Sequence, residues 1–144
     1  MSLALTVEQR AFIDQPGTFA RLATLGRDGA PQLTVMWFRH VEDAFRMVCE
    51  PGAAKARNIA RDPRVAVVIE HPADPYRYLQ FRGRAELKHD PALGADETRE
   101  LAWRYLGRER GDAYLANVDG AELLTIVVHP ASVTSFVGTN AAEV

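Results

Sequence analysis

Apolar and polar residues alternate with a period of two in several stretches of this chain. "QLTVMWFRH", residues 32–40, sets Gln32, Thr34, Met36 and Phe38 on one face and Leu33, Val35 and Trp37 on the other, as a pleated strand does. "YLQFRGRAEL", residues 78–87, places Leu79, Phe81, Ala85 and Leu87 opposite a polar stripe of Tyr78, Gln80, Arg82 and Arg84. "TFARLATL" (18–25) and "AFRMVCE" (44–50) are strand-like as well. "RVAVVIE" (64–70) is β-branched and nearly all apolar, the pattern of a buried strand. "AELLTIVVHP" and "ASVTSFVG" read as two further strands, broken by Pro130.

Turn residues divide these runs. Asp28-Gly29 is a hairpin signal, Glu42-Asp43 a tight connection, and "HPADPYR" (71–77) a loop with two prolines. Gly83 marks a bend or a close approach within its strand. Three stretches are helical. "TVEQRAFID" opens on Thr6 as N-cap, with Glu8 and Gln9 near the capping-box position. Residues 53–61 are good helix formers between Pro51-Gly52 and Asp62-Pro63. "DPALGADETRELAWRYLG" carries Leu101, Ala102, Tyr105 and Leu106 at helical spacing, with Gly107 as its stop. About seven strands in consecutive antiparallel hairpins predict a mainly β fold, a small β-barrel with helices at its open ends. One domain is expected over residues 1–144.

Composition narrows the function. A net charge of −2 argues against nucleic acid or an anionic membrane as partner, so any anion site must be local. Cys49 is the only cysteine, which rules out an internal disulfide and points to a reducing, cytoplasmic setting. No apolar run approaches the roughly 20 residues of a membrane span, and "MSLALTVEQRAF" lacks the basic start of a signal peptide.

Most catalytic chemistry is missing. His40, His71, His89 and His129 are widely spaced without a cysteine partner, so no metal site is expected. There is no G-x-S-x-G and no glycine-rich nucleotide cradle, and Cys49 reads as a small core residue. What remains is "EPGAAKARNIARDPRVAVV", residues 50–68, with Lys55, Arg57, Arg61 and Arg64. Small residues at this helix's entry leave its first N–H groups open to an anion. Lys55 sits where the helix dipole disfavours a cation, which an intervening anion would relieve. The same charges also suit a plain solvated face, and both readings stand. Gln32 and Thr34 would serve the edge of a flat ring, or belong to an ordinary half-buried strand; Trp37 is more often core than cofactor shelf.

"FARLATLGRDGAPQLTVMWF", "KARNIARDPRVAVVIE" and "YRYLQFRGRAEL", in that order, resemble the pyridoxamine 5'-phosphate oxidase-like, FMN-binding split β-barrel superfamily. Within it they resemble the F420-dependent flavin/deazaflavin oxidoreductases of the second branch. The likeness spans residues 18–87, with weaker agreement at "RYLG" and "LLTIVV". It implies a six- to seven-stranded antiparallel split β-barrel, a homodimer with cofactor sites at the subunit interface, and hydride transfer from reduced F420 to an electron-poor double bond. FMN is the alternative cofactor, and a non-catalytic carrier of F420 or flavin the alternative role. By the same resemblance Lys55 and Asn58 hold the cofactor phosphate, with Arg57 beside them. Gln32 and Thr34 line the ring system, and Val48 and Cys49 meet the ring edge. Whether a partner subunit supplies site residues such as Tyr78 or Arg82 stays open at this point; Tyr78 and Tyr105 are candidate proton donors. Residues 71–77 and 108–120 are expected to shape the acceptor pocket. Many relatives carry Arg, Ser or Thr where this chain has Ala53, whose backbone N–H is then all it offers.

Overall fold

The structure is a computed structural model and describes residues 3–137. The elements run α1 (Val7–Ile13), β1 (Ala20–Leu25), β2 (Pro31–Met36), β3 (Arg39–Val41), β4 (Ala44–Cys49), α2 (Ala54–Arg61), β5 (Arg64–His71), β6 (Asp74–Lys88), α3 (Pro91–Asn117) and β7 (Leu124–Val137). The seven strands form one antiparallel sheet in the order β2-β1-β5-β6-β7-β4-β3. It is the expected split β-barrel, and the sheet does not close: β2 and β3 are its two edges.

Local chemistry places the turns as predicted. Thr6 Oγ1 accepts from the Gln9 N–H at 3.1 Å while Gln9 Oε1 accepts from the Thr6 N–H at 3.0 Å, a complete capping box. The β1–β2 turn puts Gly29 at φ 84°. Glu42 and Asp43 both take positive φ, 53° and 61°, the twist that suits a two-residue hairpin.

Four expectations are corrected. Residues 32–40 are not one strand: β2 ends at Met36, and β3 turns away to pair with β4. The Phe38 N–H is taken by the Tyr105 hydroxyl at 3.1 Å, and the Phe38 ring is fully buried against Phe45. Residues 71–77 are a tight hairpin, with His71 opposite Asp74; the register shift beside Glu70 accommodates Pro75, which has no N–H to pair. Pro130 does not divide β7. It sits at a second register shift, opposite Gly83, where an added Cβ would lie 2.1 Å from the His129 carbonyl oxygen. Gly107 breaks α3 at φ 77°, ψ 176°, but the helix resumes and runs to Asn117. Its second half is tied to the first by the Trp103 indole N–H donating to Asp112 at 2.8 Å, and by Gly111 packed against Trp103 and Ala102.

The inner sheet face buries Leu22, Phe38, Phe45, Met47, Val67, Ile69, Phe81, Ile126 and Val128, closed off by Ile13 of α1 and Ile59 of α2. The outer face of β5 is apolar too, through Ala66 and Val68. It continues into Ala23 and Leu25 of β1 and into Leu33 and Val35 of β2, which are 66% and 59% exposed. Strands apolar on both faces normally have both covered.

Candidate functional site

Strand ends and helix starts converge beside α2. Val35, Met36 and Trp37 from the end of β2, Val48, Cys49 and Glu50 from the end of β4, Ala53 and Lys55 from the start of α2, and Leu101 and Tyr114 from α3 line a groove of about 420 Å³. Trp37 lies nearly parallel to Tyr105, with centroids 5.2 Å and planes 7° apart, and Tyr114 leans on its indole at 5.5 Å. Leu101 is held in place by the turn of α3 that precedes it. There Glu97, 1% exposed, accepts from Arg39 Nε at 3.0 Å, Arg39 Nη2 at 2.7 Å and Arg46 Nη1 at 2.9 Å. Burial alone would raise the Glu97 carboxyl, but the two guanidinium groups outweigh it and hold it below the usual carboxylate range.

The start of α2 is open. Ala53 makes no side-chain cap, and no acidic residue occupies the first turn. The Ala53 N–H is not free as expected, because it donates to the Glu50 carbonyl at 3.0 Å. The N–H groups of Ala54, Lys55 and Ala56 are the uncapped ones. Lys55 has no ion pair among the described residues. An ammonium, an uncapped helix start and an apolar groove beside them are the donor set and shape that a phosphate-bearing planar cofactor needs, so the residues present fit such a group.

The other expected site residues are placed as follows. Asn58 is buried and does not line the groove. Its amide donates to Thr24 Oγ1 and to Gln32 Oε1, both at 3.1 Å, and its carbonyl accepts from Arg61 at 2.7 Å. Gln32 and Asn58 thus meet each other and pin α2 to the β1–β2 hairpin. Arg57 donates to the Gly52 carbonyl and lines a separate cavity of about 610 Å³ with Arg27, Asn58, Ala60 and Arg61. Thr34 faces inward, and its hydroxyl is a buried polar atom without a partner. Of the expected set, Val48, Cys49 and Lys55 share the groove. Burial pushes the Cys49 thiol up, with Lys55 pulling weakly the other way. Tyr78 and Arg82 lie on the outer sheet face, Tyr78 stacked on Phe136 at 5.2 Å. The Tyr105 hydroxyl donates to the Thr18 carbonyl at 2.9 Å, a structural task at the end of β2. Among the described residues no cluster of His, Cys, Asp or Glu can hold a metal. No described helix is long and apolar enough to cross a membrane.

Local reading missed Glu50, Leu101 and Tyr114, and it weighed Trp37 as core. No spacing rule links residues 37, 50 and 114; only the kink at Gly107 brings the last of them back. None of residues 71–77 lines the groove, whereas 108–120 contributes Tyr114.

The pyridoxamine 5'-phosphate oxidase family model matches residues 5–134. The chain belongs to this family. Among solved members of similar fold, a protein described as an F420 reductase is 30% identical, with a TM-score of 0.70, over 87% of this chain and 94% of that one. A conserved hypothetical protein from Mycobacterium tuberculosis is 23% identical, with a TM-score of 0.77, over 94% of this chain and 86% of that one. The heme storage protein HutZ from Vibrio cholerae is 20% identical, with a TM-score of 0.67, over 93% and 96%. The last two share the fold of this pyridoxamine 5'-phosphate oxidase family member; the first shares more of its sequence.

Proposed function

We propose that this chain is an F420-dependent reductase acting on an electron-poor double bond of a small molecule. The observation that carries the reading is the Lys55 ammonium without an ion pair, beside the uncapped start of α2 at the mouth of an apolar groove. The likeness to an F420 reductase supports it. Lys55 and the N–H groups of Ala54 and Lys55 hold the phosphate. Gln32, Asn58 and Thr24 fix the helix that presents them. Val48, Cys49 and Met36 give the ring an apolar seat and exclude water, which strengthens every polar contact within. Arg57 reaches the phosphate only by leaving the Gly52 carbonyl. When bound, the reduced deazaflavin supplies the hydride; the protein supplies position and a dry site.

We also propose a homodimer formed through the outer sheet face. Leu33, Val35, Ala66 and Val68 make that face apolar, and Val35 belongs to both the face and the groove. A second copy seated there would wall the groove and bring residues such as Tyr78 or Arg82 towards it. FMN shares a phosphate and a tricyclic ring, so Lys55 does not by itself separate the two cofactors. Titrating the purified apoprotein in parallel with F420 and with FMN, read by cofactor fluorescence, tests the assignment. Tighter F420 binding and consumption of reduced F420 with an enone or quinone are expected. Preference for FMN refutes it, and F420 binding without turnover leaves a carrier.

A further inference from the structure

Hydride addition to a conjugated acceptor also needs a proton, and the groove's tyrosine differs from the others in the chain. Tyr76 is 53% exposed, Tyr78 is stacked on Phe136 on the outer sheet face, and the Tyr105 hydroxyl is bonded to Thr18 and Phe38. Tyr114 is half-buried and lines the groove together with Val48 and Lys55, and its hydroxyl has no hydrogen-bond partner among the described residues. Its ring is steadied by Trp37 at 5.5 Å and 57°. The break at Gly107 and the Trp103–Asp112 bond are what carry it there. Cys49 is 7% exposed with its thiol pushed up by burial, and Lys55 serves the phosphate in the reading above.

We propose that Tyr114 is the proton donor of the groove, serving an acceptor that is a conjugated carbonyl compound. The assignment rests on the hydride-transfer reading. A hydride added to the far carbon of the acceptor's C=C forms a C–H bond and moves the π electrons onto the carbonyl oxygen. The Tyr114 O–H bond breaks as that oxygen takes the proton, giving an enol that relaxes to the saturated carbonyl. Water returns a proton to the phenolate from the open side of the groove. The acceptor gains two electrons and two hydrogens, and the hydride donor loses two electrons.

The test compares wild type with Tyr114→Phe, which keeps the ring and its contact with Trp37. Acetophenone, a carbonyl probe without a reducible side-chain double bond, is bound to each without cofactor, and its C=O stretch is read by infrared difference spectroscopy. A saturable band shifted to lower frequency in wild type and unshifted in the variant is expected. With reduced F420 and a cyclic enone, the variant should lose about 10²–10⁴-fold in kcat, with F420 affinity unchanged and the solvent isotope effect altered. An identical band in both proteins, no saturable band in wild type, or equal kcat and isotope effect would overturn the assignment. If wild type shifts the probe band yet consumes no reduced F420 with any acceptor, the hydride reading fails while Tyr114 stands as a carbonyl donor.

Discussion

Replacing Glu97 with Ala isolates what holds the first half of α3 to the sheet. The carboxylate is 1% exposed and accepts three charge-assisted hydrogen bonds from two guanidinium groups. Removing one partner of a buried ion pair costs about 3–5 kcal/mol, because the remaining charge is left uncompensated. Arg39 and Arg46 keep 27% and 25% of their side chains exposed, so both rehydrate in part and the low end applies. We therefore expect a loss of about 3 kcal/mol, and a fall in melting temperature of roughly 6–12 °C at this chain length. Urea unfolding followed by far-UV circular dichroism should show a lower midpoint at an unchanged slope. Glu97→Gln, which keeps the volume and one acceptor, should cost less than Glu97→Ala. The folded carboxyl lies below its unfolded value, so its contribution is complete above the ordinary carboxylate pKa and drains away as pH falls through the folded value. The gap between wild type and Glu97→Gln should narrow over that same interval. A Glu97→Ala protein within about 1 kcal/mol of wild type at neutral pH would refute the reasoning, since that is an ordinary surface cost.

Three further outcomes are expected. Lys55→Ala should weaken F420 binding by about 1.5–3 kcal/mol, roughly 10- to 100-fold, as loss of a charge-assisted bond does. Its melting temperature should stay that of wild type, because Lys55 makes no ion pair among the described residues; isothermal titration and thermal denaturation read the two arms. If the proposed dimer forms through the outer sheet face, Leu33→Glu should give a monomer at micromolar concentration in light scattering where wild type gives a dimer, and a wild type already monomeric while binding cofactor would contradict the shared interface. Gly83→Ala sets a methyl 2.1 Å from the His129 carbonyl and should destabilise the fold by about 1–3 kcal/mol, seen as a lower urea midpoint.

The sheet was largely legible because its information is local. Asp28-Gly29 and Glu42-Asp43 announce their own turns, and the alternation in residues 32–36 and 78–87 matches the faces found. The errors arise where a distant residue overrides a local signal. Tyr105 ends β2 by taking the Phe38 N–H, which no pattern within 32–40 reveals. Pro130 reads as a breaker, yet the bulge against Gly83 leaves its missing N–H without consequence. In the site, the charge on Lys55 was visible, but the direction of Asn58 was not: a carboxamide at helical spacing fits a ligand or a hairpin equally well until Thr24 and Gln32 are known to lie beneath it. Glu97 gave no sign at all, since its two partners lie on β3 and β4, far back along the chain.

The position of β7 between β6 and β4 has a consequence for how this protein emerges from the ribosome. Until β7 is made, the β3–β4 hairpin pairs only with itself, because Phe45 to Cys49 find their other partners in Leu124 to Val128. An isolated two-stranded hairpin is marginal in water. The β3–β4 hairpin, which carries one wall of the groove, must therefore wait for β7 before it is secured. Truncation anywhere before β7 should leave an aggregation-prone half-sheet rather than a smaller working protein.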